Sequence, residues 1–385
     1  MALHINERVT RIEMSGIRKF ANLASQYSNV ISLTLGQPDI PPAKHIGEAV
    51  AEAVANNRTS YTENQGILAL RQGASAFVSD KYDLIYSPQD EVIVTAGASQ
   101  ALFVALTTLL EAGDEVIVPS PTYPAYLEII QLCGAVPVLV DTTATDFKVT
   151  PEQLRGHITP KTKGFILSYP SNPTGTILSK DEVDALADVL KDQELYVISD
   201  EIYSELIYDG IRHESIANRP GMREKTVVIN GLSKSHSMTG YRIGFVFGAR
   251  ELMREMLKVH QYNVSCASSI SQYAALSAVT TGRDDARHMR EEYQLRRNFV
   301  HRRLNEMGLA AKLPGGAFYI FPYIGNYADN AMDFCAKLLH EQQVAAVPGS
   351  AFSTYGEGYI RISYSTTMEK LQTAMDKIET FIRTL

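Results

Sequence analysis

The stretch Val228–Arg242, VINGLSKSHSMTGYR, holds an apolar run, a lysine just beyond it and an arginine eight residues after that lysine. The run reads as a strand, and a second apolar run, Ile243–Phe247, follows the arginine directly. Only about ten residues separate Asn230 from Ile243, too few for a helical crossover, so the second strand is expected to run antiparallel beside its neighbours. A lysine held in such a turn can condense with an aldehyde, and the small and hydroxyl residues around it suit a bound phosphate. Taken alone, Lys234 is more often a solvated side chain. Its surroundings change that reading.

Outward from this turn, short β-branched runs recur at Val92–Thr95, Glu115–Val118, Val136–Val140, Phe165–Ser168 and Tyr196–Ser199. Together with Val227–Asn230 and Ile243–Phe247 they make seven strands, most of them near-continuous in apolar character, as strands covered on both faces are. Helical stretches such as Ser99–Leu110 and Lys180–Leu190 lie between several of them. The alternation predicts an α/β fold with a mostly parallel, doubly wound sheet. After Phe247 come amphipathic helices, Ser268–Thr280 and Arg283–Met307, and then a compact α/β tail. In that tail Ala317–Pro322 and Tyr359–Tyr364 read as strands, and Asn330–Glu341 and Met368–Leu385 as helices. The tail and the N-terminal segment are expected to form a small domain, with the boundary inside the Arg283 helix.

Bulk properties narrow the function. The chain has 385 residues, a formal net charge of −7 and no basic stripe, which argues against nucleic acid or an anionic membrane as partner. Its three cysteines, Cys133, Cys266 and Cys335, are far apart and outside any CxxC or Cys/His cluster, so neither a disulfide framework nor a metal site is expected. The N-terminus carries charges where a signal peptide needs an apolar run, and no segment has the length of a membrane span. A cytoplasmic protein is the expectation.

Ligands of open α/β sheets bind beyond the carboxyl ends of the strands, and the polar motifs fall there one after another. The first strand ends in TAGASQA, Thr95–Ala101, where small residues open a helix whose free amides can hold a phosphate. The second ends in PSPTYPAY, with Tyr123 at the same edge. The fourth runs into SYPSNPTGT, Ser168–Thr176, where prolines stiffen a loop carrying Asn172. The fifth ends in SDEIYSEL, with Asp200 at its terminus and Tyr203 three residues on; an acid there equally serves as a helix N-cap. As a set, these parts suit pyridoxal 5′-phosphate. That cofactor needs an amine for its aldehyde (Lys234), a carboxylate for its ring nitrogen (Asp200) and donors for its phenolate oxygen (Tyr203, Asn172). It also needs an aromatic face (Tyr123) and an anion cradle (Ala98, Ser99, Gln100, Ser233, Arg242). Neither GxxxxGK[ST] nor GxGxxG after the first strand is present.

NPTG at Asn172–Gly175, SDEIY at Ser199–Tyr203 and SKSHSMTGYRIG at Ser233–Gly244 closely resemble the class I and II aminotransferases, fold-type I pyridoxal-phosphate enzymes. The resemblance runs from SLTLGQPD (Ser32–Asp39) through SYTENQGILALR (Ser60–Arg71) to GYIRISYS (Gly358–Ser365), essentially the whole chain. It implies a large cofactor-binding domain over 45–285 and a small domain made of 1–44 with 286–385. It implies that Arg361 grips the substrate α-carboxylate, with Gly36 and Asn172 also at the substrate, and that Tyr61 reaches the phosphate of a neighbouring subunit in a homodimer with shared active sites. Three positions depart from the common pattern. Tyr241 stands where tryptophan is usual, His236 where an aromatic is usual, and Gly231 where many members have a hydroxyl, which leaves Ser233 as the hydroxyl ligand. The position of His236 on the lysine's turn suggests packing rather than acid/base work.

The implied activity is transfer of an amino group from an L-amino acid to 2-oxoglutarate. NGLSKSHSMTG with HQYNVSCASSISQ, His260–Gln272, is most similar to the branch acting on N-acetyl-L,L-diaminopimelate in lysine biosynthesis; aromatic amino acids, methionine and aspartate are the alternative donors. A carbon–sulfur β-lyase uses the same cofactor parts. A cofactor-sensing regulatory module ranks last, because only about 30 residues precede LTLGQPD, too few for a winged helix.

Overall fold

The computed structural model describes residues 3–385. Its centre is a seven-stranded sheet in the order Val92–Thr95, Gly244–Phe247, Thr226–Gly231, Tyr196–Asp200, Thr162–Ser168, Glu115–Ser120, Val136–Asp141. All neighbours pair parallel except Gly244–Phe247, which is antiparallel to both of the strands beside it. Chain length explains the exception, since the lysine-bearing turn reverses the chain where the other strands are joined by long crossovers. The central strands carry apolar side chains on both faces because both faces are covered. Helix Ala98–Leu109 packs Ala101, Leu102 and Ala105 against Ile93, Val116 and Ile198, and helix Lys180–Leu190 packs Val183, Leu186 and Leu190 on the other face against Phe165 and Val197. The latter helix begins in a capping box, in which Ser179 and Glu182 satisfy each other's backbone N–H groups. Val136–Asp141, expected to be covered on both faces, is instead an edge strand with Val136 exposed.

A second core joins the two ends of the chain and takes in Tyr203, Leu206 and Tyr208 from its middle. Phe20, Ala24 and Leu33 pack with Tyr293, Leu304, Phe318, Phe334, Leu338, Leu371 and Phe381. Ile31–Ser32 pairs parallel with Val344–Ala345, and Ile360–Ser363 lies between Val347–Pro348 and Tyr319–Ile320 in an antiparallel trio. The strand expected over Ala317–Pro322 is cut to Tyr319–Ile320. Ala317 sits at φ 55, in the left-handed region, and breaks the extended run before it can pair. The helix expected from Arg283 begins at Ala286.

The parallel strands end at Thr95, Ser120, Ser168, Asp200 and Gly231, along one rim of the sheet, and Gly244 starts the antiparallel strand opposite Thr95 and Gly231. The rim is tight there. A Cβ on Gly244 would lie 2.5 Å from the Gly97 carbonyl carbon and 2.6 Å from the Ala98 nitrogen, both backbone atoms that cannot swing aside. Gly244→Ala is therefore expected to push the start of helix Ala98–Leu109 off the rim. It should lower stability by about 1–3 kcal/mol and weaken retention of a phosphate-bearing ligand, read by thermal melts with and without ligand.

Candidate active site

A cavity of about 250 Å³ opens on this rim. Into it converge Lys234, Asp200, Tyr203, Asn172, Tyr123, Ala98, Ser99, Ser233, Arg242, Gly36 and Arg361, all expected from sequence to share one site.

Lys234 follows the strand Thr226–Gly231 and donates to the Gly36 carbonyl. Burial, with Arg361 and Arg242 adding positive potential and Asp200 opposing them, lowers its pKa to about 8. The folded chain thus releases this proton near pH 8, whereas an unfolded lysine holds it to about 10.4. Between those values the unfolded state binds more protons, so this residue's contribution to stability rises with pH. The stability of the full-length, cofactor-free chain measured against a Lys234→Met variant should improve from about pH 8 towards about pH 10. A gap that does not move with pH would contradict the lowered pKa.

Asp200 is buried at the end of its strand and held by both oxygens. Tyr126 donates to Oδ2 at 2.7 Å and the Ile202 N–H to Oδ1 at 3.2 Å. Burial raises its pKa, and those two hydrogen bonds pull it back down. The Tyr126 hydroxyl also meets the Ser168 hydroxyl at 2.9 Å. Tyr126, which the sequence reading does not name, lies in the first turn of helix Ala125–Leu132, directly after the strand end that carries Tyr123; that place at the rim is the signal that could have found it. Tyr319 is a second addition, its hydroxyl 2.8 Å from that of Tyr203. Nothing local marks it, because it comes from the chain's other end.

Arg361 is 1% exposed and stacked between the Tyr319 and Phe352 rings, at 4.3 and 4.9 Å. Its guanidinium donates to Asn172 Oδ1 and to the Thr34 carbonyl, each at 2.8 Å. Its Nε has no partner among the described residues. Burial lowers its pKa below the usual arginine range, and among the described residues no carboxylate pairs with it. A buried guanidinium without a counter-ion is costly, so the arrangement suits a ligand that brings a carboxylate.

At the rim, Arg242 adopts a left-handed backbone at φ 56 and donates to the Thr239 carbonyl at 3.2 Å and the Ala96 carbonyl at 3.4 Å. Gly97 makes that path possible. At φ 82 it has no side chain, and a Cβ there would meet Arg242 Nη2 at 2.5 Å. Gly231 has a similar reason. The hydroxyl-bearing side chain common at this position would start from a Cβ 3.2 Å from both the Gly244 Cα and the Ile243 carbonyl oxygen, whereas Ser233 lines the cavity.

Two expected residues lie elsewhere. Gln100 does not line the cavity: its Oε1 accepts the Ala96 N–H at 2.6 Å and its Nε2 donates to Asn263 at 2.8 Å, so it braces the loop from behind. Tyr61 is 89% exposed and stands away from the cavity of its own chain. Among the described residues no cluster of metal-ligating side chains occurs. The donor set fits pyridoxal phosphate in kind: a desolvated amine, a buried carboxyl, phenols, an amide and a cationic rim beside hydroxyls.

Comparison with known proteins agrees. Residues 28–378 match the family described as aminotransferase class I and II. A Bacillus subtilis (strain 168) protein named as a probable N-acetyl-LL-diaminopimelate aminotransferase is 52% identical, over 98% of this chain and 95% of that one. The aspartate aminotransferase of Pyrococcus abyssi is 40% identical over 98% of both chains. Among solved structures, the aromatic aminotransferase of Pyrococcus horikoshii OT3 superposes with a TM-score of 0.90 at 39% identity, covering 95% of this chain and 99% of that one. The aspartate aminotransferase of Rhizobium meliloti superposes with a TM-score of 0.95 at 34% identity, covering 99% of both.

Proposed function

The chain belongs to the class I and II aminotransferases, pyridoxal-phosphate-dependent enzymes of fold type I, and from that premise we propose that its amino donor is N-acetyl-L,L-diaminopimelate and its acceptor 2-oxoglutarate. The 52% identity to the Bacillus subtilis protein carries this reading of the donor. The test is a donor panel, with N-acetyl-L,L-diaminopimelate beside aspartate, methionine and aromatic amino acids, followed by glutamate formation from 2-oxoglutarate. The N-acetyl compound should lead in kcat/KM. Preference for aspartate or an aromatic donor would replace it.

In this reading each side chain has a defined part. Bound pyridoxal phosphate supplies an electron sink that permits a Cα–H bond to break and an amino group to be stored. Lys234 would hold the cofactor through its Nζ and, with that atom freed, would take the proton from Cα and pass it on to the cofactor side. A pKa of about 8 leaves part of that amine neutral near pH 7. Asp200 pairs with the ring nitrogen and Tyr126 keeps its carboxylate aimed. Tyr203 and Asn172 serve the phenolate oxygen, Tyr123 the ring face, and Ala98, Ser99, Ser233 and Arg242 the phosphate. Arg361 takes the substrate α-carboxylate in a fork, with Asn172 and Gly36 beside it, and so selects which Cα bond is presented for cleavage.

The assembly follows from the same reading. Tyr61 serves the phosphate site of a second subunit in a homodimer, and its near-complete exposure, like that of Tyr262, is what a dimer interface would cover. The chain divides into a cofactor domain over 45–285 and a small domain of 1–44 with 286–385, supported by the core that unites Phe20 and Leu33 with Tyr293–Phe381. Among the described residues no helix is long and apolar enough to cross a membrane, and the proposed location is the cytoplasm.

A further inference from the structure

Two residues beyond the lysine, His236 lies outside the cavity and takes no part in the chemistry above. It is 2% exposed. Its Nε2 faces the Gly282 carbonyl at 2.9 Å and its Nδ1 the Ser235 hydroxyl at 2.8 Å. A carbonyl only accepts, so Nε2 carries the proton, and Nδ1 of the neutral ring accepts from Ser235. Burial lowers the pKa of the ring and keeps it neutral. The imidazole therefore bridges the lysine's own turn to the turn between helices Ser269–Thr280 and Ala286–Glu306.

That second turn is itself fixed. A Cβ on Gly282 would meet His45 Cε1 at 2.8 Å, and His45 bonds Asp285 at 2.9 Å and Ser277 at 2.7 Å. The other end of the lysine's turn is equally held. Asn230 donates to the Ser204 hydroxyl at 3.1 Å, Ser204 to the Tyr82 hydroxyl at 2.8 Å, and Tyr82 to the buried Glu205 at 2.7 Å. The segment carrying Lys234 is thus strung between two anchorages that lie outside the cavity.

We propose that His236 is a positioning residue for Lys234: its imidazole, tied at one nitrogen to Ser235 and at the other to Gly282, keeps the amine aimed into the desolvated cavity. An aromatic ring of similar size would fill the space beside Phe77, which meets the imidazole edge-on at 6.2 Å, but it would bridge nothing. The proposal rests on Lys234 being the amine that takes the cofactor.

The test uses full-length chains carrying His236→Phe, His236→Gln and Ser235→Ala. Two quantities are read: steady-state kcat and KM of the loaded enzyme, and the midpoint pH for capture of pyridoxal phosphate by the cofactor-free chain. Captured cofactor is trapped with borohydride and located by mass spectrometry. H236F is expected to lose about tenfold in kcat with KM nearly unchanged, because small misplacements of a reacting group are costly. Its capture midpoint should climb from about 8 towards the ordinary lysine value of about 10.4. H236Q, whose amide can donate to the Gly282 carbonyl, should recover most of both. A lower melting temperature for H236F with wild-type kcat and midpoint would reduce His236 to packing and overturn the proposal. Where H236F does not fold, S235A carries the test: loss of the Ser235 contact should raise the capture midpoint, and a wild-type midpoint and kcat in S235A overturn the proposal. Cofactor trapped on a different lysine in the wild-type chain would instead refute the assignment of Lys234 itself.

Discussion

Replacement of Lys234 by alanine is expected to lower kcat at least about 10³-fold, the range associated with losing a positioned acid/base group. No second lysine and no histidine lines the cavity among the described residues, so nothing nearby can take over the proton. The loss should not come from unfolding. Lys234 is a cation in a poorly solvated site between Arg361 and Arg242, and its removal relieves that repulsion, so the melting temperature of the cofactor-free variant at pH 7 should hold or rise. Transaminase turnover within tenfold of wild type would take Lys234 out of the chemistry. A large drop in melting temperature would mean that its contact with the Gly36 carbonyl matters more to the fold than the burden of its charge.

The second large effect is expected at Arg361. Arg361→Lys keeps the charge but removes the planar fork, and a point charge cannot serve Asn172, the Thr34 carbonyl and a substrate carboxylate together. Truncating one partner of a buried, hydrogen-bonded charge pair costs about 2–5 kcal/mol, so kcat/KM for the amino donor should fall by about 10²–10³-fold. The loss should sit mainly in KM, because a carboxylate gripped by Arg361 as proposed would be held in the bound substrate as well as in the transition state. A wild-type KM in the variant would assign the carboxylate to another group.

Much of the architecture was legible because the central strands advertise themselves. Thr162–Ser168, Tyr196–Asp200 and Thr226–Gly231 are apolar on both faces, and the short link from Gly231 to Gly244 dictated the one reversed strand. The site was legible for a related reason: residues at the ends of neighbouring strands must meet, so Asn172, Asp200 and Lys234 could be grouped without knowing the intervening crossovers. What escaped depends on side-chain direction or on distant packing. Gln100 sits in the right helical turn but turns back to Ala96 and Asn263, and no local pattern fixes that rotation. Tyr319 reaches Tyr203 from over a hundred residues away. The shortened strand at Tyr319 follows from the left-handed Ala317, a conformation that alanine rarely adopts and that its sequence does not announce.

The core that joins the two ends of the chain also bears on how the protein is made. Phe20, Ala24 and Leu33 find most of their core partners only beyond Met289, and Ile31 pairs with Val344. Synthesis delivers the N-terminus first, so this apolar segment emerges long before these partners and waits through translation of the whole seven-stranded sheet. Pairing over such separations is slow, and surface left uncovered meanwhile invites association. Yield of soluble protein should therefore depend on translation speed and chaperone supply more than the stability of the finished fold would suggest.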